Sequence, residues 1–133
     1  GMYYVLLVIF GALGATSRYI LSFIIDAGQF PGATLIINLL GCFLLAFVTR
    51  FLSQLPYLSA RLVSAIGTGF VGSFTTFSTF SLESAELFQN GEYGYAGGYI
   101  LASLFGGLIA CIIGYQVSHW LIIWRKGRGK IVR

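Results

Sequence analysis

The chain has 133 residues, 57% of them hydrophobic and only 9% charged, with a mean hydropathy of +0.87. A soluble domain carries about 25% charged residues, and so short a chain has too much surface for its volume to hide this much apolar area in one core; lipid is the expected solvent. The net charge of +4 is no general basic coat, because Arg125, Lys126, Arg128, Lys130 and Arg133 hold five of the eight cations, and this excludes the spread basic face with interleaved aromatics that nucleic acid requires.

A membrane helix takes about 20 largely apolar residues. Four stretches qualify, 3–25, 33–52, 62–88 and 95–123, which predicts one all-α integral membrane domain with four transmembrane helices. The connectors 26–32, 53–60 and 89–94 are too short to be domains. Trp120, Trp124 and Tyr57 stand at span ends, as an interfacial aromatic belt requires. No basic stretch precedes the first apolar run, so no cleavable leader is expected, and Gly1 ahead of Met2 reads as an addition. Cys42 and Cys111 each lie inside apolar runs, where cysteine behaves as a small hydrophobe, and neither has a second Cys or His at metal-ligand spacing.

Four spans put both termini on one side together with the 53–60 connector. That side collects Arg50, Arg61 and the five tail cations, whereas the other two connectors hold no Lys or Arg, only Asp26 and Glu92. The excess of Lys and Arg in cytoplasmic segments then places both termini in the cytoplasm. The tail 124–133 is expected to anchor there against anionic headgroups.

The third stretch is unusual. Gly67, Gly69 and Gly72 are followed by Ser73, Thr75, Thr76, Ser78, Thr79 and Ser81. Glycine loses the most entropy when ordered, and hydroxyls offer the backbone competing hydrogen bonds. Two structures satisfy these residues. In one the helix breaks at mid-depth, where freed carbonyls survive only against protein, ion or cavity and can coordinate ions. In the other a continuous helix lets the hydroxyls bond back to the preceding turn.

In the fourth stretch Gly94, Gly98, Ala102, Gly106, Ala110, Gly114 and Ser118 recur at every fourth position. Such a row lets another helix backbone approach closely. Beside it run Tyr95, Tyr99, Ser103, Gly107, Cys111 and Tyr115. Arg18 and Glu83 are the ionisable residues deepest in spans, and such residues face a partner or water.

Three segments together resemble one family. Gly11-Ala12-Leu13-Gly14-Ala15-Thr16-Ser17-Arg18-Tyr19 is similar to a Gly-x-x-Gly-Ala-x-x-Arg-Tyr segment, and Thr34 to Phe43 to a Thr-Leu-x-x-Asn-x-x-Gly-Ser-Phe pattern. Gly69-Phe70-Val71-Gly72 followed by Thr75-Thr76-Phe77-Ser78-Thr79-Phe80 matches the most distinctive motif. On these residues the chain resembles the Fluc fluoride channels, also called CrcB. The resemblance implies an antiparallel, dual-topology-type dimer with two pores along the subunit interface and the third helix broken mid-membrane. It also implies a central structural Na+ held by backbone carbonyls, which map to Gly72 and Thr75.

Phenyl rings carry a positive edge, and Phe77 and Phe80, three apart on one helical face, match the family's aromatic box around the anion. Asn38 is either a pore donor or an interhelical hydrogen-bonding residue, and the resemblance favours the pore. Thr34, one turn earlier, and Ser78 and Thr79, beside the rings, would extend the donor row. Tyr99 and Ser103 match the first two residues of the family's polar track; Gly107 stands where a second Ser would be. Arg18 is either an anchor tied to backbone carbonyls or Glu83, or a vestibule cation. Glu83 is left open between pore element and ion-pair partner.

The expected function is passive, fluoride-selective export across a bacterial plasma membrane. A membrane enzyme is not expected, because no His, Cys or carboxylate cluster could run acid–base or nucleophilic steps. A proton-coupled exporter of the small multidrug-resistance type is the alternative, but those exporters depend on a first-span carboxylate and this span carries Arg18 instead. A further alternative concerns assembly. The seven-to-none charge bias predicts one fixed orientation, so an opposed partner would be a paralogue of inverted topology, which would also supply the Ser missing at Gly107.

Overall fold

A computed structural model describes residues 1–25 and 30–132, with side chains described as far as Gly127. Asp26, Arg133 and the side chains of Arg128 and Lys130, all used in the charge argument, lie outside that description.

Long apolar runs without proline become long helices. These are α1 (Met2–Ile24), α2 (Gly32–Leu52) and α6 (Tyr93–Val132), and among the described residues they are the three long and apolar enough to cross a membrane. The stretch 62–88 is divided instead. A short α3 (Ala60–Ser64) runs into π-helical turns over Ala65–Val71, then α4 (Gly72–Phe74), and after an interruption α5 (Phe77–Gln89). None of these pieces alone is long enough to span. Ser59 caps α3 by accepting from the Leu62 amide at 3.1 Å. At the other end of the divided segment, Gly91 adopts φ +74°, and the Glu92 amide returns to the Leu87 carbonyl at 2.8 Å. That left-handed turn suits glycine and reverses the chain into α6.

The last helix departs from expectation. The sequence predicts its end at residue 123, yet α6 continues through the basic segment to Val132. Arg125 and Lys126 are strong helix formers, and no proline follows to stop them.

Missing side chains set the packing. Gly14 of α1 lies against the Phe70 backbone, and a Cβ on Gly69 would stand 2.9 Å from the Leu7 carbonyl oxygen and 3.1 Å from Phe10 Cβ. Glycines on both sides therefore let α1 and the π-helical segment touch backbone to backbone. Between α2 and α6, the C-terminal half of the small-residue row has the same role. A Cβ on Gly106 would stand 2.9 Å from Leu39 Cδ2, Gly114 lies against the Phe43 carbonyl, and the Ser118 hydroxyl donates to the Phe47 carbonyl at 3.0 Å. Gly94 and Gly98 meet nothing within 4 Å.

A consequence is testable at α1. Gly14→Ala drives a methyl into the Phe70 carbonyl and is expected to destabilise the subunit by about 3 kcal/mol, the upper part of the range for overpacking. Gly94→Ala, with open space around it, should hold or gain stability, by up to about 1 kcal/mol of helix propensity. Thermal denaturation in detergent micelles separates the two.

Candidate functional site

The interruption sits at Thr75 and Thr76, which are extended (φ −81°, ψ 159° and φ −147°, ψ 117°) between α4 and α5. Two extended residues withdraw amides from the helical ladder, so the fate of each freed group can be traced. The Thr75 amide still reaches the Val71 carbonyl at 3.0 Å. The Thr76 amide, which a continuous helix would give to the Gly72 carbonyl, goes to Asn38 Oδ1 at 2.8 Å. Asn38 Nδ2 in turn donates to the Thr76 carbonyl at 3.0 Å. One amide side chain from α2 thus grips both polar groups of Thr76.

The neighbouring carbonyls divide accordingly. The Ser73 carbonyl accepts from Arg18 Nε at 3.2 Å, so Arg18 braces the end of α4 from α1. The Gly72 carbonyl is approached by the Thr75 hydroxyl at 3.5 Å, a contact secondary to that hydroxyl's 3.0 Å bond to the Val71 carbonyl. The oxygen released at Gly72 is therefore weakly used, and it belongs to a residue exposed on the groove described below.

Thr76 also starts the next helix. Its hydroxyl accepts from the Thr79 amide at 3.2 Å and lies 3.0 Å from the Thr79 hydroxyl and 3.3 Å from that of Ser78. This is an N-cap, which satisfies one of the orphan amides of α5. Ser78 and Thr79, expected as extensions of a donor row, are here engaged with the cap.

A groove of about 480 Å³ runs beside the interruption, lined by residues of α2, the divided segment and α6. Asn38, Gly72, Thr75, Phe77, Phe80 and Ser103 all border it. Phe77 is 79% exposed, and its ring stands 5.9 Å from that of half-buried Phe80 with the planes tilted by 37°. The Ser103 hydroxyl is buried and, among the described residues, has no hydrogen-bond partner. Cys42, expected to be a bland core residue, also borders the groove, and its Sγ lies 3.4 Å from where a Cβ on Gly107 would be.

Two other expected pore residues, Tyr99 and Thr34, do not border this groove. Tyr99 is fully buried in a core cluster with Leu87 and Ala96, behind Phe80 at a ring distance of 5.1 Å. Its hydroxyl donates to Glu83 Oε1 at 3.3 Å. Thr34, also buried, lies beside that hydroxyl and does not border the groove. Glu83 thus holds Tyr99, while Arg18 holds Ser73. The sequence reading missed Thr76, although its place before a helix rich in apolar positions is the ordinary signal of a cap.

Residues 5–115 match the family described as CrcB-like protein, Camphor Resistance (CrcB). The chain belongs to the CrcB-like family. Among curated relatives of this CrcB-like chain, a protein of Listeria innocua named fluoride-specific ion channel FluC 2 is 49% identical over 126 residues, covering 95% of this chain and 96% of its own. FluC 2 of Listeria monocytogenes is 47% identical over 121 residues (91% and 94%), and FluC 1 of Bacillus cereus 48% over 122 (90% and 89%). For the CrcB-like chain the family match spans every residue that lines the groove, from Asn38 of α2 to Leu104 of α6.

Proposed function

We propose that this chain is one subunit of a passive, fluoride-selective channel of a bacterial plasma membrane. In this reading it crosses the membrane four times, with both termini in the cytoplasm and the interruption at mid-depth. The pieces from Ala60 to Gln89, at about 1.5 Å per helical residue, are together long enough for a hydrocarbon layer of about 30 Å. The carrying observation is the groove at the interruption, bordered by an exposed phenyl ring, a second ring and an amide, with the unpartnered Ser103 hydroxyl buried in its wall. An apolar ring 79% exposed beside polar groups fits a second, antiparallel subunit closing the groove into a pore.

Fluoride is small and strongly hydrated, so a pore must replace its water with donors and positive edges. Asn38 spends one Nδ2 hydrogen on Thr76 and has a second for the anion. Ser103 offers its free hydroxyl, and Phe77 and Phe80 offer ring edges. None of these groups carries a full charge, which favours release as well as entry.

Sodium would serve structure. A hard cation takes oxygen ligands, and Gly72 has a carbonyl whose helical donor has been drawn away to Asn38. Together with Thr75, which also borders the groove, and the same pair from an opposed subunit, it would give neutral carbonyl dipoles facing a single ion.

A second reading concerns the partner. With four spans, Arg50, Arg61, Arg125 and Lys126 fall on the same side of the membrane, which favours a single orientation and so a partner of inverted topology. Liposomes loaded with fluoride and holding only this polypeptide test both. Electrogenic, pH-independent efflux is the expected result. Silence alone but efflux on co-reconstitution with an inverted paralogue selects the paired reading, and proton-coupled flux overturns the channel.

A further inference from the structure

The end of α2 and the extension of α6 form a second cleft, unrelated to the interruption. It encloses about 310 Å³ and is lined by Phe51, Gln54, Leu55, Ile122, Arg125 and Lys126. Its walls come from two devices. After α2 the chain turns tightly, the Gln54 amide reaching the Phe51 carbonyl and the Leu55 amide the Leu52 carbonyl, each at 3.1 Å. Opposite, α6 carries on as helix through Arg125 and Lys126 and so holds both cations against that turn.

The lining is divided by chemistry. Leu55 and Ile122 are 7% and 8% exposed and make, with Phe51, an apolar floor. The rim carries a primary amide and two adjacent cations, and the lining contains no carboxylate. Trp120 and Trp124, 64% and 51% exposed, flank this level of α6, and exposed tryptophans favour the headgroup depth of a bilayer. A free inorganic anion would leave the apolar floor unused, and a zwitterionic headgroup would bring an ammonium towards two cations.

We propose that this cleft binds the headgroup of an anionic phospholipid, its phosphodiester on Arg125, Lys126 and Gln54 and its glycerol and first methylenes on Phe51, Leu55 and Ile122. The site rests on the membrane-spanning reading of the helices and is independent of what the groove conducts. Arginine meets phosphate oxygens through paired N–H donors, and lysine adds a point charge.

Native mass spectrometry of the full chain, released from micelles containing phosphatidylglycerol or phosphatidylcholine, reads the binding directly. One phosphatidylglycerol per subunit is expected, with phosphatidylcholine binding far less. The double variant Arg125→Gln/Lys126→Gln should bind phosphatidylglycerol about 30-fold more weakly, the size expected of two headgroup-facing cations. Arg61→Gln, which removes an exposed cation outside the cleft, should change nothing. Unchanged affinity in the double variant, equal loss in Arg61→Gln, or displacement by millimolar inorganic phosphate each overturns the proposal. Fluoride efflux is not the readout, so failure here leaves the channel reading standing.

Discussion

Phe77→Ile is expected to abolish fluoride efflux from reconstituted liposomes while leaving the subunit folded. The two halves of that statement have separate grounds. With 79% of its surface exposed, the Phe77 side chain contributes little to packing within the subunit, so truncating it opens no cavity. Isoleucine preserves hydrophobicity and much of the volume but has no quadrupole, and hence no positive edge to present to an anion. If the ring edge replaces part of fluoride's hydration shell, its loss should slow efflux at least 100-fold, about 2.7 kcal/mol at ~1.36 kcal/mol per decade.

Phe80 is a less clean target, because its ring also leans on buried Tyr99 at 5.1 Å. Phe80→Ile is therefore expected to lower the melting temperature as well as the flux. Efflux unchanged in Phe77→Ile would remove the rings from the mechanism, whatever Phe80→Ile did.

The long helices were legible because run length and apolarity decide them locally: α1 and α2 begin and end within a residue of the boundaries that the apolar runs predict. The divided segment was legible only as a choice. Gly67, Gly69, Gly72 and the hydroxyl run permit either an interruption or a continuous helix, and what distinguishes them is a side chain 38 positions upstream. No periodicity reports that Asn38 reaches Thr76.

Tyr99 shows a different limit. Tyr99, Ser103 and Gly107 share a row at every fourth residue, but at 3.6 residues per turn such a row slants by about 40° per step. One end of it can therefore face a groove while the other is buried against α5. Ser103 borders the groove; Tyr99, one step away, supports Phe80 from behind. The same slant explains why the small-residue row meets α2 at Gly106, Gly114 and Ser118 but not at Gly94 or Gly98.

Asn38→Leu is expected to have the other large effect, and here stability and function should fall together. Leucine fits the apolar surroundings but can neither accept from the Thr76 amide nor donate to the Thr76 carbonyl, bonds of 2.8 and 3.0 Å in the native chain. Two half-buried main-chain groups lose their partners at once. At about 1–3 kcal/mol for each unsatisfied group, the variant should be destabilised by about 2–6 kcal/mol, measurable as a lowered melting temperature in micelles. Asn38→Asp separates the roles of the amide. It keeps the acceptor for the Thr76 amide, loses the donor to the Thr76 carbonyl, and sets a negative charge beside the path of an anion. An equally complete loss of efflux is the expected outcome, and stability falls as well, because the carboxylate then faces the Thr76 carbonyl oxygen with no proton to give it. The clamp also bears on sodium. While Asn38 holds the Thr76 amide, the Gly72 carbonyl keeps only a 3.5 Å approach from Thr75; once Asn38 is leucine, that amide is free to close the ordinary helical bond onto Gly72. Any stabilisation by sodium seen in the native chain should therefore disappear in Asn38→Leu. A leucine variant that melts and conducts like the native chain would mean that Thr76 needs no clamp, and that the extended link between α4 and α5 is held by other contacts.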